Sequence, residues 1–324
     1  MRRNLLMAGL ALGVQLALGG RAALAQGSDK PIEWVVGLAA GGGSDAVART
    51  VAEAMGKSLG RTIIVTNKPG AGTNIAAEYV ARSRDLGNIV FTADFATLAA
   101  NPHLFSKLSY NAEKDFVPIG LLARFPLFLV VNNQLPVHNF KEFLAWARAN
   151  PGQLNYASPG LGSPHHLATE LLAQRVGLKM SHVPYRGAAP AIVDVIGGQV
   201  PFMLVDSAAG ASHIAAGKVR VIGVASGERL PTYPQIPTLA EQGVNDYEAY
   251  AWQGLVAPAG TAPETVAAWS QALQAALKSP AVVARFDALA VTPLPGTPAQ
   301  MLAYWRSERS KWGQVIQTAG IKLD

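Results

Sequence analysis

The sequence predicts an α/β protein of two domains, each a mainly parallel sheet flanked by helices. Three observations carry that prediction. Short apolar runs alternate with helix-period segments along the whole chain, which is the pattern of layered βα units. Hydrophobic residues make up 50% of the chain and charged ones only 15%, the balance of a well-buried globular protein. About 300 residues follow a leader-like start, long for one core and natural for two.

The leader is read first. Arg2 and Arg3 are followed by a mostly apolar run, Leu5 to Leu18, and Ala23-Leu24-Ala25 satisfies the small-x-small rule for cleavage. Residues 1–25 are expected to be a signal peptide cut after Ala25, by the general or the twin-arginine route, which places the mature chain in a periplasm. The alternative is a frayed N-terminal helix. The apolar run is shorter than the ~20 residues of a membrane span. With no cysteine, the chain has neither disulfides nor a lipoprotein acylation site. Removing the leader leaves 24 basic against 21 acidic residues, a net charge of +3. That suits an anionic small ligand and is also an ordinary surface. No basic run or basic–aromatic alternation points to nucleic acid.

Strands are expected at Ile32–Val36, Thr62–Thr66, Ile89–Thr92, Val117–Leu122, Leu127–Val131, Met180–Val183, Val200–Val205, Val219–Ala225 and Trp252–Val256. Asp45–Leu59 places Val47, Val51, Met55 and Leu59 on one helical face, and Gly60 is a plausible stop. Pro263–Lys278 and Pro298–Ala319 read as long amphipathic helices, with Thr261 and Thr297 as their caps. On the second of these, Trp305 and Trp312 mark a core-facing stripe. A chain that crosses near Ala123–Phe125 and returns near Tyr250–Ala251 divides into a first domain of 26–124 and 251–324 around a second of 125–250. Periodicity alone does not demonstrate these crossings.

Four turns could carry chemistry. "VVGLAAGGGSDAVARTV" runs strand, glycine turn, helix, and Gly41-Gly42-Gly43-Ser44-Asp45-Ala46 formally matches the dinucleotide pattern G-x-G-x-x-[G/A]. The next strand ends in Asn67 and Lys68, with no acid for a ribose, and no lysine follows the glycines as a P-loop requires. A dinucleotide site is unsupported. "NKPGAGTNIAAEYVA" repeats the form, with Gly70, Ala71 and Gly72 in its turn and Thr73 or Asn74 as cap. Two such turns side by side would aim two sets of free N–H groups, and the positive ends of two helices, at the carboxyl edge of one sheet. The bland reading is that glycine turns before helices often hold nothing.

In the third turn, "YASPGLGSPHHLATELLA", Ser163 and Pro164 form an N-cap and N1 pair. In the fourth, "VPYRGAAPAIVDVIGG", Gly187 precedes a helix near Ala188. Asp206 ends a buried strand, where it either meets a ligand or caps the following helix. Hydrolase elbows, S-x-x-K and H-E-x-x-H are all lacking. His165 and His166 point about 100° apart on a helix, so they make no metal face. Neither metal nor cofactor is expected.

Together these stretches resemble the Bug-type solute-binding proteins, the periplasmic receptors of tripartite tricarboxylate transporters. The resemblance spans essentially the whole mature chain. It rests on Gly42-Gly43-Ser44-Asp45, "NKPGAG-N-AAE-VA" (Asn67 to Ala81), "NP-L---L-Y--EKDF-P" (Asn101 to Pro118), "LNYAS-G-GS-HL" (Leu154 to Leu167), "HVPYRG-APA--D---GQV" (His182 to Val200), "AGK-R-I-V" (Ala216 to Val224) and the stretch from Gly254 to Pro263. What it implies is a two-domain, Venus-flytrap (type II-like) fold that closes on a small carboxylated ligand without chemistry. The resemblance further implies a carboxylate held by backbone N–H groups of the first two turns, and a far end met by Ser158, Gly162, Ser163, Tyr185 and Asp206. The expected partner is an integral-membrane permease or a sensor kinase, with the receptor a monomer. An exported enzyme acting on a carboxylate is the alternative.

Departures from the family pattern bear on the ligand. Gly37, Leu38 and Ala40 stand where the family usually has proline, phenylalanine and proline. Asp94 and Phe95 replace small residues: the acid could meet an amine or hydroxyl, and the ring could stack on an aromatic ligand. Pro159, Leu161, Pro164 and His165 replace small or polar residues, which makes His165 a candidate partner for a distal carboxylate or carbonyl, giving a dicarboxylate or an aromatic acid as ligand. The competing reading is that these side chains only pack the domain interface.

Overall fold

The computed structural model describes residues 30–323; the expected leader lies outside them. Ile32–Val36 (β1) buries four of its five residues, and its carboxyl end opens into the first glycine turn. Gly43–Leu59 (α1) follows, burying Val47, Val51 and Met55, and stops at Gly60, whose φ of 62° is the left-handed conformation that closes a helix. Ile63–Asn67 (β2), Asn74–Ala81 (α2) and Ile89–Asp94 (β3) complete two βα units. The short helices Asn101–Leu104 (α3) and Ala112–Asp115 (α4) lead into the 16-residue strand Phe116–Val131 (β4).

The second lobe is built from Phe140–Ala149 (α5), Asn155–Ser158 (β5), Pro164–Val176 (α6), Ser181–Pro184 (β6), Ala188–Ile196 (α7), Phe202–Asp206 (β7), Ser207–Ala215 (α8) and Arg220–Val224 (β8). The chain returns through Tyr250–Pro258 (β9) to Pro263–Leu277 (α9), Pro280–Ala288 (α10), Thr292–Gly296 (β10) and Pro298–Ala319 (α11).

Strand order is β2-β1-β3-β9-β4-β7-β5-β6, with β8 and β10 also pairing to β4. Pairing is parallel where βα units stack, in β2-β1-β3 and in β7-β5-β6. It is antiparallel along β4 and β9, so the sheet is mixed rather than mainly parallel. The two strands expected over 117–131 are one. Its first half pairs with β9 as far as Pro126↔Tyr250, and from Leu127↔Asp206 onward it pairs with β7. Proline has no N–H to give, and Pro126 sits where the ladder changes partner, so a continuous strand tolerates it.

Two strands escaped the sequence reading. β5 is four residues long and runs straight into the third turn, while β10 carries Pro293 and Pro295, which argue against a strand except at a bulged edge. Thr297 caps α11 by accepting the Gln300 N–H, but Thr261 does not cap α9. Its hydroxyl turns to the carbonyls of Leu86 and Pro258 instead. Trp305 and Trp312 are buried as expected, and their indoles are satisfied by Leu98 O and the Glu308 carboxylate.

Candidate ligand-binding cleft

A cavity of about 660 Å³ opens between the lobes at the carboxyl ends of the parallel strands. Helix N-termini surround it: Gly43 and Ser44 of α1, the Ala71–Thr73 turn before α2, Pro164 and His165 of α6, Ala188 of α7, and Asp206 before α8. Each contributes unpaired N–H groups and about half a positive charge. Among the described residues that line the cavity there is no lysine or arginine. Attraction for an anion therefore comes from the backbone.

On the first lobe, neither helix end is consumed by a side chain. The α1 N-cap, Gly42, makes no side-chain cap bond, and nor does Thr73 before α2. Neither Thr73 nor Asn74 acts as the expected cap: the Thr73 hydroxyl faces Thr97 and Asp94, and the Asn74 oxygen accepts from Asn101 Nδ2 at 2.7 Å. Ala71, Gly72 and Thr73 all have positive φ, of 47°, 59° and 74°. Such a run costs about 1–2 kcal/mol per non-glycine residue, strain of the kind that ligand clamps hold.

Asp94 lines the cavity, and its Oδ1 accepts the Thr97 N–H at 2.9 Å, the Thr97 hydroxyl at 2.8 Å and the Thr73 hydroxyl at 3.3 Å. Burial pushes this carboxyl above its ordinary value against the pull of those bonds. Opposite it on β9, Gln253 gives its amide N–H to Ser44 Oγ at 2.6 Å, which leaves the Ser44 hydroxyl hydrogen free to donate.

On the second lobe, Ser163 caps α6 through the His166 N–H. Two stacked imidazoles, His166 and His182, lie 3.8 Å apart beneath the third turn. His166 Nδ1 accepts the Gly162 N–H at 3.0 Å, and His182 Nε2 meets Ser158 Oγ, which in turn bonds the Gly160 N–H. Burial, and for His166 the neighbouring His182, lowers these rings to about 3 and about 4. Asp206 fulfils the capping reading of its position: Oδ1 caps α8 through the Ala209 N–H, while Oδ2 faces His165 Nε2 at 3.1 Å. Burial alone would raise Asp206; the bond and charge of His165 and the Ala209 N–H outweigh it and hold the carboxyl low. The other ring nitrogen, His165 Nδ1, is buried without a partner.

The chain matches the model of the tripartite tricarboxylate transporter family receptors over residues 47–321. It belongs to that family. Among solved structures it is similar to R. palustris Rpa4515 with adipate, at 32% identity and a TM-score of 0.83, covering 90% of this chain and 98% of that one. The periplasmic binding protein BugD is 33% identical with a TM-score of 0.79, covering 90% and 98%. MatC from Rhodopseudomonas palustris with bound malate is 32% identical with a TM-score of 0.78, covering 88% and 98%. The receptors of this family are two-domain solute-binding proteins. Among the described residues, no helix is long and apolar enough to cross a membrane.

Within this receptor the cavity gathers Gly43, Ser44, Ala71, Gly72, Thr73, Asp94, Phe95, Gly162, Ser163, His165 and Asp206 from the sequence-predicted set. Ala40, Gly41, Gly42, Asp45, Gly70, Asn74, Ser158 and Tyr185 do not line it. Asp45 is buried and turns back to Arg49 and to the Gly41 N–H at 2.9 Å, so that N–H is already used. Gly70 faces Ile75, Ser158 is sealed against His182, and the Tyr185 hydroxyl is given to Asp194 at 2.6 Å. Phe95 is not a stacking platform either: it is 1% exposed and its ring packs edge-on against Trp312.

Sequence reasoning missed Gln253, Asn101, Phe105, Phe125 and Trp252, which all line the cavity. Gln253 carried a signal, being the one amide in an otherwise apolar strand.

Proposed function

We propose that this receptor captures a small carboxylated compound in the interdomain cleft of a periplasmic protein and delivers it to the membrane permease of a tripartite tricarboxylate transporter. The ligand carboxylate would lie on the N–H groups of Gly43, Ser44, Ala71 and Gly72. One observation carries this reading: two adjacent helix N-termini without side-chain caps open into one cavity whose described lining has no lysine or arginine. The adipate of Rpa4515 and the malate of MatC are carboxylates, which supports the same chemistry here. The lobes would be 26–124 with 251–324, and 125–250, closing about the points where β4 changes partner and β9 begins. The mature monomer would start at Gln26 and bind without turnover.

A thermal-shift screen of mono-, di- and tricarboxylates, aromatic acids and amino acids tests the reading. A bound acid raises the melting temperature by mass action. No shift with any carboxylate overturns it, and conversion of the bound compound, followed by NMR, overturns its binding-only role.

A further inference from the structure

Asp94 and Gln253 face each other across the β3–β9 ladder. Directly paired residues of neighbouring antiparallel strands project to the same side of the sheet, and both side chains reach the cavity. Each also fastens one of the two turns that present free N–H groups: Gln253 holds Ser44 of the first, and Asp94 accepts from Thr73 of the second.

Each keeps an acceptor in hand. Gln253 is 4% exposed and its Oε1 has no hydrogen-bond partner, a costly state for a buried amide oxygen. The three bonds to Asp94 all fall on Oδ1. Two acceptors therefore lie between two sets of donors. A plain carboxylate seated on those donors would find a carboxylate beside it and an amide oxygen still unmet. A ligand that carries its own donor next to the carboxylate resolves both.

We infer that the receptor selects acids bearing a hydrogen-bond donor on the carbon adjacent to the carboxylate, an α-ammonium or α-hydroxyl group, read by Asp94 and Gln253. This rests on the carboxylate reading proposed above and narrows its substrate class. An ammonium suits the site better than a hydroxyl, because it also balances the Asp94 charge where no lysine or arginine is present. The remaining wall, with Leu38, Phe105, Phe125, Leu161 and Trp252, accommodates a bulky apolar remainder.

Calorimetry on three matched triplets tests the inference: L-phenylalanine, L-phenyllactate and hydrocinnamate; L-leucine, leucic acid and isocaproate; L-aspartate, L-malate and succinate. In each triplet that binds, the α-substituted acids should exceed the unsubstituted one by about tenfold or more, the worth of a hydrogen bond to a charged acceptor. Asp94→Asn retains an oxygen for the Thr97 N–H, so the turn is kept while the charge is lost. It should cut the advantage of the amino acid by about tenfold and that of the hydroxy acid less. Gln253→Leu should reduce both advantages.

Equal affinity within a triplet, or an Asp94→Asn variant with an unchanged ratio, overturns the inference and leaves the carboxylate reading standing. The second result would mean that Asp94 serves only to hold Thr97. Failure of all nine compounds to bind overturns the inference, and the carboxylate reading falls with it only if the full thermal-shift screen also finds no acid that binds.

Discussion

Gln253 and Ser44 meet at 2.6 Å across 209 positions of sequence, tying the returning strand to the first turn of α1. That bond braces Ser44, which lines the cleft, against β9 and so holds the start of the first cradle of N–H groups.

Gly72→Val is expected to abolish binding of any carboxylate the wild-type protein binds, while leaving the fold intact. Its φ of 59° is left-handed, which costs a β-branched side chain at least about 1–2 kcal/mol, and a Cβ there has room beside Asn101. The loss of binding comes from bulk at the point where ligand and backbone must approach. Calorimetry with circular dichroism measures it; unchanged affinity would remove Gly72 from the site.

His165→Ala is expected to weaken adipate by about tenfold more than hexanoate. His165 lines the cavity, and its buried, unpartnered Nδ1 would gain a partner in a second carboxylate that reaches across from the first lobe. Equal losses for the two acids would reduce His165 to a partner of Asp206.

The His166–His182 stack makes stability depend on pH. Both rings are held at about 3 and about 4, below the ~6.5 of a free histidine, so the folded state carries them neutral. An unfolded chain takes up their protons first as pH falls. The contribution is therefore complete above about pH 6.5 and is lost progressively toward pH 4 and below, with a slope of up to ~1.4 kcal/mol per pH unit for each proton. Urea denaturation between pH 7 and 4.5 measures it. His182→Gln should flatten that slope; a slope identical to wild type would contradict the assignment.

Glu308→Leu is expected to destabilise the first lobe by several kcal/mol. The buried Glu308 Oε2 accepts both indole N–H groups, of Trp252 at 2.9 Å and Trp312 at 2.8 Å, and each stranded donor costs about 1–3 kcal/mol. Glu308→Gln keeps one acceptor and should lose less. The midpoint of urea unfolding reports the difference, and equal midpoints for the two variants would show that these bonds contribute little.

Much of the cleft was legible because its backbone work is written in local signals. Glycine turns between strand and helix marked Gly43, Gly72 and Gly162, and Ser163-Pro164 marked the start of α6. What stayed hidden depends on contacts distant in sequence. Nothing near Asp45 shows that its carboxylate takes up the Gly41 N–H, and nothing near Phe95 shows Trp312 against its ring. The long β4 read as two strands because Pro126 breaks the local pattern at the position where the ladder passes from β9 to β7.

The most direct measurement is a crystal structure with the acid that gives the largest thermal shift. The account predicts one ligand carboxylate within about 2.7–3.2 Å of N–H groups from both the first turn of α1 and the Ala71–Gly72 turn. A carboxylate bound at His165 and Asp206, with those two turns left to water, would contradict it.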